Sequence, residues 1–299
     1  MLSAPWVARL VAIAALCGPA GWLVSAAPAA QAGAVGPGAS PVGRAAAGAR
    51  PAPLVTDSGP AHGSKWGLRA PAMSAAMTSA NVRKQQQVDR YLQVMTHTMS
   101  ADGKCTSLAC RTGEPESRQL AATEQAQIRG YFCGPATISE MLAQLGRKVG
   151  QRRAARELGT TTAGTDWSDS AGYPMPNVLN SNQHINDYVA VALPWSPTRA
   201  QVKAYEADLV TDINHKRGAP LAGNAYEVPG GPHLAGHPTD QTIYHWFDIR
   251  GYQDSGKVTD YEDSVHGASS IGWSGAVPAY SSLQSSTIME ILGARGYDW

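Results

Sequence analysis

The 299-residue chain has little net charge, few cysteines and no visible internal repeat. Its 24 Lys and Arg residues nearly balance 23 Asp and Glu residues, which gives a formal net charge of +1 at pH 7. Proteins that bind nucleic acid or an anionic membrane surface through charge carry a clear excess of Lys and Arg. The composition therefore gives no support for a nucleic-acid partner or for charge-driven membrane binding.

The stretch from Gly33 to Pro71 lacks apolar periodicity and consists mainly of Ala, Gly, Pro and Ser. Such a segment cannot bury enough apolar surface to offset the entropy lost on ordering it. We expect residues 33–78 to be a disordered linker, either a spacer through a cell envelope or part of a pro-segment that is removed on maturation. Residues 79–299 are enough for one domain with a substantial core.

An apolar run from Leu10 to Ala27 follows the positive charge of Arg9 and precedes Ala30-Gln31-Ala32. This order predicts that residues 1–32 are a secretory signal peptide with an A-x-A cleavage site. The run nearly reaches the ~18 apolar residues of a membrane-spanning helix, but glycine and proline residues interrupt it. We expect a secreted protein, extracellular or in the cell envelope, with no stable membrane insertion after cleavage.

Cysteine is scarce: the chain has four, and Cys17 lies inside the predicted signal peptide. Secretion places the other three in an oxidising compartment, where pairs of cysteines tend to close. Cys105 and Cys110 are near enough in sequence to form a small disulfide loop. Cys133 is then the odd thiol, and an odd thiol in a secreted protein is either a partner for another chain or a reactive group.

The residues around Cys133 combine a possible nucleophile with a helix start. Pro135 suits a first helical turn, and an apolar helix face follows at Ile138, Met141, Leu142 and Leu145. Backbone N–H groups and the helix dipole stabilise negative charge at a helix N-terminus, so we expect the Cys133 thiol to ionise more readily than an ordinary one. The alternative is a buried cysteine that acts as a small hydrophobic residue.

The middle of the chain has two irregular stretches. Residues 160–186 form a long polar loop between predicted helices at 152–158 and 196–213, and loops of that length usually line a site. The second stretch contains His233 and His237 among glycines and prolines, which exclude the helix that a metal site with this spacing would need. We favour a substrate-facing loop over a zinc site there.

The C-terminal third has the pattern of a β-sheet. Residues 220–228 are a predicted strand, and residues 244–250 alternate so that His245 lies on the same face as two apolar residues. A turn at Asp254-Ser255-Gly256 leads into a further strand over residues 257–265, which completes an antiparallel hairpin.

This hairpin carries His245 at the start of one strand and Asp260 and Asp263 on the next. A thiol nucleophile needs a base that takes its proton and an acceptor that fixes the tautomer of that base. An imidazole with a neighbouring carboxylate supplies both. The alternative for His245 is a hydrogen-bonded structural histidine.

Taken together, these features resemble the papain-like cysteine peptidases. They are Gln127 six residues before Cys133, the Cys-Gly-Pro-Ala helix start, the strand from His245 to Tyr252 and a following strand with an acidic residue. The bacteriocin-processing, double-glycine-leader peptidases and their secreted relatives are the most similar branch, over about residues 125–265. The resemblance implies an α+β papain-like fold, in which a helical lobe with the nucleophile at a helix N-terminus packs on an antiparallel sheet lobe.

By position, the resemblance implies four site residues: Cys133 as nucleophile, His245 as general base and acid, Asp263 as the residue that orients His245, and Gln127 as donor to the oxyanion. The family places its orienting acid before a proline, whereas Ser264 follows Asp263 here, so Asp260 stays open as a rival. Asp260 lies nearer the hairpin turn, where a carboxylate is more easily solvated. Gln125 is a second glutamine nearby, but only Gln127 has the family spacing.

The sequence thus predicts a secreted thiol hydrolase without a cofactor, with a cysteine peptidase that cleaves a peptide or protein substrate as the favoured activity. A cell-wall amidase or an acyl transferase on the same fold stays open as an alternative. So does a secreted binding protein that keeps the fold without catalysis.

Overall fold

The computed structural model describes residues 73–97, 114–215 and 217–299. The predicted signal peptide and nearly all of the predicted linker lie outside the described residues. So do Cys105 and Cys110, and the predicted disulfide between them stays a prediction. None of the helices in the described ranges is both long enough and apolar enough to span a membrane.

Helices α1 (Ala75–His97) and α2 (Cys133–Gln144) are followed in the chain by α3 (Gln151–Glu157), α4 (Pro174–Asn182), α5 (Arg199–Ile213) and α6 (Ser285–Ile291). Helix α2 begins at Cys133 with Pro135 in its first turn, as the sequence predicts. Ile138, Met141 and Leu142 on α2 are fully buried in the main hydrophobic core. A large apolar side chain contributes about 1.5–3 kcal/mol when it is fully buried, so this face fixes α2 against the sheet.

Helix α4 corrects the prediction of a continuous loop over residues 160–186. Pro174 is at the start of this helix, where a missing N–H costs no intrahelical hydrogen bond. Val178 and Leu179 are buried and anchor the helix to the core. The sequence predicted a polar loop here, but prolines at a helix start are compatible with a helical turn.

Helix α5 begins at Arg199, slightly later than the start predicted near Ser196. Thr198 caps it: its side chain accepts a hydrogen bond from the backbone N–H of Gln201, whose side chain accepts from the backbone N–H of Thr198. This capping box satisfies two amide groups that would otherwise have no intrahelical partner.

The strands are β1 (Arg118–Gln119), β2 (Ala190–Ala192), β3 (Leu221–Glu227), β4 (Ile243–Gln253), β5 (Val258–Glu262), β6 (Tyr280–Gln284) and β7 (Gly296–Asp298). They form one antiparallel sheet in the order β2-β7-β3-β4-β5-β6, and β1 also pairs with β4. The predicted hairpin is confirmed as β4 and β5. Its turn has positive φ angles at Asp254, Ser255 and Gly256.

The register of the sheet decides which side chains share a face. His245 on β4 is opposite Ala225 on β3, so Glu227, two residues further along β3, projects on the same side as His245. Asp248 on β4 is opposite Glu262 on β5, and both project to the other side, on which α2 packs. Asp263, the residue after β5, is thereby directed to the His245 side.

Helix α1 packs on the same core as the sheet. Met77, Ala80 and Val88 are buried in that core, and the buried Lys84 Nζ lies 2.8 Å from Asp212 Oδ2 on α5. Burial lowers the pKa of Lys84 more than Asp212 raises it. The helix begins a few residues before position 79, at which the sequence placed the start of the domain.

Candidate active site

His245 and Asp263 form a buried pair on one face of the sheet. His245 Nε2 lies 3.0 Å from Asp263 Oδ1, and both side chains are almost completely shielded from solvent. The backbone N–H of Val265 also donates to Asp263 Oδ1, at 2.9 Å. Nδ1 of His245 is buried and has no hydrogen-bond partner among the described residues. One ring nitrogen is therefore committed to Asp263, and the other is open to a further group.

The second oxygen of Asp263 binds a second histidine. His237 Nε2 lies 3.0 Å from Asp263 Oδ2, and His237 Nδ1 lies 2.9 Å from Glu227 Oε2. His237 thus faces inward, so the prediction of a substrate-facing loop is wrong for this residue. His233 instead bonds the backbone carbonyl oxygens of Gly231 and Gln241.

Two opposing effects set the charge of Asp263 and His237. Burial alone would raise the pKa of Asp263, but the positive charges and hydrogen bonds of His245 and His237 outweigh it and hold that pKa well below its ordinary value. Burial alone would lower the pKa of His237, but Asp263 and Glu227 raise it to about 10. At neutral pH, Asp263 is therefore a carboxylate and His237 an imidazolium.

Asp260, the rival to Asp263, has other partners. It accepts hydrogen bonds from the side chains of Gln119, Gln253 and Ser282. It is only 2% exposed, so the expectation of a solvated carboxylate near the turn is wrong. Its hydrogen bonds tie β1, β4 and β6 together, whereas Asp263 is the carboxylate that accepts from His245 Nε2.

Gln127 is hydrogen-bonded to Ser264, the residue that follows Asp263 in the chain. The backbone N–H of Gln127 donates to the carbonyl oxygen of Ser264 at 2.8 Å, and the Ser264 hydroxyl donates to Gln127 Oε1 at 3.3 Å. One N–H of the Gln127 amide donates to the carbonyl oxygen of Arg129 at 2.8 Å. Gln127 is buried, whereas Gln125 is exposed, so only Gln127 is built into this region.

Cys133 is a buried thiol at the first position of α2. The next residue, Gly134, packs so closely on Thr165 that a Cβ on it would lie 2.5 Å from Thr165 Oγ1. Trp246, the residue after His245, donates from its indole N–H to the carbonyl oxygen of Thr165 at 3.1 Å. Residues adjacent to Cys133 and to His245 therefore contact the same residue, Thr165.

Three further carboxyl groups are buried between α2 and the sheet: Glu140, Asp248 and Glu262. Burial is the main cause that raises the pKa of each of them, with Glu262 at about 7. Their partners are neutral donors and Arg250: Thr123 N–H donates to Glu262, Gln125 N–H to Glu140 and the Gln144 amide to Asp248. This cluster lies on the sheet face opposite to His245.

A metal ion would find two sets of ligand atoms, each within 4.8 Å: His237, His245 and Asp263 in one, and the three buried carboxyl groups in the other. In the first set, both carboxylate oxygens and both Nε2 atoms already take part in hydrogen bonds. In the second set, Glu140 Oε2 and Asp248 Oδ1 are buried and have no hydrogen-bond partner among the described residues. The sequence offered His233 and His237 as a possible zinc pair, but His233 is not part of either set.

His237 and Glu227 are site residues that the sequence did not reveal. Residues 228–238 have no periodicity that would orient His237. The available signal was Glu227 itself, an ionisable residue that ends a strand whose other side chains are almost all buried. A buried carboxylate needs a partner, and the nearby histidines were candidates.

Residues 118–276 match the model of the Peptidase C39 like family. A crystal structure from Bacillus anthracis, whose name assigns it to the C39-like peptidases, is similar over 62% of this chain and 97% of that chain, with 11% sequence identity and a TM-score of 0.36. No protein of curated function matches the chain.

Proposed function

Because this chain belongs to the Peptidase C39 like family, we propose that it is a secreted cysteine peptidase that cleaves peptide bonds with Cys133, His245 and Asp263. The resemblance to the papain-like cysteine peptidases and the α+β fold that it implied are both confirmed. The observation that carries the assignment of the base is the hydrogen bond between His245 Nε2 and Asp263 Oδ1, with Nδ1 left open.

The hydrogen bond to Asp263 selects one tautomer of His245. A carboxylate accepts, so the proton of the neutral imidazole resides on Nε2 and the lone pair resides on Nδ1. Nδ1 is then the atom that takes the proton of the Cys133 thiol. The resulting imidazolium donates to Asp263 through Nε2 and keeps its second proton on Nδ1 for the leaving group.

The reaction proceeds in two stages. The Cys133 thiolate attacks the carbonyl carbon of the scissile amide, the C–N bond breaks, and His245 Nδ1–H transfers its proton to the departing amine. A water molecule, deprotonated by the same Nδ1, then attacks the thioester and releases the acid and the Cys133 thiol.

The negative charge that develops on the carbonyl oxygen needs donors. Gln127 uses one amide N–H for the carbonyl of Arg129, and we assign its second N–H to the oxyanion. We assign the backbone N–H of Cys133 as the second donor, because it lies in the first turn of α2, where the helix dipole favours negative charge. The contact of Gln127 with Ser264 supports this role, because it places Gln127 next to Asp263.

The substrate of this proposal is a peptide or protein outside the cytoplasm. The N-terminal apolar run and the A-x-A sequence ending at Ala32 support secretion. The low net charge gives no support for a nucleic-acid substrate.

The proposal is tested with a library of peptides from a digested bacterial proteome and with mass spectrometry that detects new N-termini. The wild type is compared with Cys133→Ala, and Cys133→Ser serves as the variant of nearly equal size. We expect new N-termini with the wild type alone and near-background cleavage with both variants. Equal cleavage by Cys133→Ala would refute the proposed nucleophile, and peptide ligation instead of hydrolysis would favour an acyl transferase.

A further inference from the structure

A second buried ion pair lies behind Asp263. Glu227, His237, Asp263 and His245 form one continuous hydrogen-bonded row, with successive distances of 2.9, 3.0 and 3.0 Å. The side chains of Glu227 and His237 are completely buried. Asp263 and His245 have roles in the proposed reaction, whereas Glu227 and His237 do not contact the reacting groups.

The fold holds His237 and Glu227 firmly in this row. The backbone N–H of Leu234 donates to Glu227 Oε1 at 2.9 Å, and the backbone N–H of His237 donates to the carbonyl oxygen of Leu234 at 3.1 Å. The ring of Trp273 packs on the His237 ring with centroids 4.8 Å apart. The loop that carries His237 is therefore fixed from three directions, and the imidazole cannot turn away without loss of these contacts.

The proton count of the row follows from its neighbours. His237 lies between two carboxylates and donates from both ring nitrogens, as an imidazolium does. The pKa of about 10 agrees with that state, since Asp263 and Glu227 outweigh the effect of burial. The row thus holds one cation, His237, between the carboxyl groups of Glu227 and Asp263.

We propose that His237, held by Glu227, is a positioning residue that keeps Asp263 ionised and directed at His245 during catalysis, an inference that rests on the function proposed above. Without the His237 cation, two buried carboxylates would share a space with no counter-charge, and Asp263 would take up a proton at a higher pH. A protonated Asp263 no longer provides an acceptor that favours the proton on His245 Nε2.

Other ionisable groups near Asp263 cannot replace His237. Glu124, Glu140 and Tyr261 interact with Asp263 from the segment before α2, from α2 and from β5. Each of these three groups is either neutral or negatively charged. His266 interacts with Glu124 at the surface of this region, and its own ring nitrogen Nδ1 bonds the carbonyl oxygen of Val277.

The test compares the pH profile of kcat/KM in four proteins: wild type, His237→Gln, Glu227→Gln and the double variant. The substrate is a fluorogenic form of a peptide that the wild type cleaves in the library experiment. In His237→Gln, the glutamine amide can still donate to Asp263 but lacks the charge. We expect its kcat/KM to fall more than about tenfold at pH 5.5 and less than about threefold at pH 8.5. A tenfold loss at pH 5.5 means that the pKa of Asp263 in the variant lies about one unit above the assay pH.

The other two variants test whether the charge near Asp263 sets its pKa, because each of them removes the negative charge of Glu227. Glu227→Gln removes an anion, so its acidic limb should lie at or below the pH of the wild-type limb. The double variant restores the charge balance and should recover at least about threefold of the activity that His237→Gln loses at pH 5.5. Thermal unfolding at each pH verifies that every variant is folded. If His237→Gln does not fold, the pH profile of Glu227→Gln tests the role of the charges on its own.

Equal losses at both pH values, or a double variant no better than His237→Gln, would overturn the inference and leave a structural role. An acidic limb shifted upward in Glu227→Gln would overturn it as well. Cys133→Ala, measured in parallel, separates the two levels: full activity there refutes the proposed function, whereas an inactive Cys133→Ala with unchanged profiles refutes only the role of His237.

Discussion

Asp248 and Glu262 are directly opposite each other on neighbouring strands, and both are completely buried beneath the helix that begins at Cys133. Two carboxyl groups in such a cross-strand pair repel each other when both are ionised. Glu140, on the helix above, adds a third buried carboxyl group. This arrangement makes the stability of the protein depend on pH.

The free energy of unfolding should fall as the pH rises through this cluster. Burial raises the pKa of Glu262 to about 7, above the value of about 4.3 in an unfolded chain. A raised carboxyl pKa contributes stability that is complete below the unfolded value and is lost as the pH rises through the folded one. We expect Glu140→Gln to raise the unfolding free energy by about 1 kcal/mol at pH 8 and to leave it unchanged near pH 4.

Urea denaturation at pH 4, 6 and 8 provides the measurement, with Glu290→Gln on an exposed position as the control. The control should follow the wild-type pH dependence. Equal destabilisation of Glu140→Gln at every pH would contradict a cluster of carboxyl groups that repel one another when ionised.

The two candidate acids should have separable effects. Asp263→Ala removes the acceptor of His245 Nε2 and should lower kcat by about 10²–10⁴. Asp260→Ala removes the acceptor of three side-chain hydrogen bonds whose donors are on exposed residues and can turn to water, so it should cost about 0.5–1.5 kcal/mol of stability with little loss of kcat per folded molecule. Steady-state kinetics with thermal unfolding of both variants distinguishes these effects. A large kcat loss confined to Asp260→Ala would reverse the assignment, and no loss in either would leave a dyad of Cys133 and His245.

Gln127 and Gln125 offer a matched pair for the oxyanion assignment. Gln127→Ala should lower kcat by about 10²–10³ with a smaller change in KM, because the donor acts on charge that develops in the transition state. Gln125→Ala, at an exposed position, should keep near wild-type kinetics. Similar losses in both variants, or a change in KM alone for Gln127→Ala, would speak against a transition-state donor.

The contact of Gly134 with Thr165 can be tested by an added methyl group. Gly134→Ala would place a Cβ 2.5 Å from Thr165 Oγ1 and should cost about 1–3 kcal/mol, with a loss of kcat/KM as Thr165 and the bonded Trp246 move. Gly150→Ala has open space around the new Cβ and is the control. The additional change Thr165→Ala should recover part of the loss. Strictly additive effects in the double variant would show that the two residues do not contact each other.

The order of residues within a short segment was sufficient to predict helix α2 and the hairpin of β4 and β5, because contacts close in sequence determine both. The apolar spacing after Cys133 and the position of Pro135 predicted the helix α2, and the turn at residues 254–256 predicted the hairpin of β4 and β5. The pairing of His245 with Asp263 followed from the family resemblance, and alternation across the sheet explains it physically.

Features that depend on distant contacts were not predictable in the same way. Strand β7 inserts between β2 and β3 by pairings that span much of the chain. The contact of His237 with Asp263 comes from a loop without periodicity, and Asp260 is buried because strands and side chains from three separate segments cover it. Burial of this kind arises from tertiary packing, which a single segment does not encode.

Activation of the Cys133 thiol by His245 is tested by alkylation with iodoacetamide at pH 5.5, followed by peptide mass mapping. We expect Cys133 to be alkylated faster than Cys105 and Cys110, and His245→Ala to slow its alkylation at least about tenfold, because thiolate formation depends on the imidazole. Slow alkylation of Cys133 in the wild type, or an unchanged rate in His245→Ala, would contradict a thiol activated by His245.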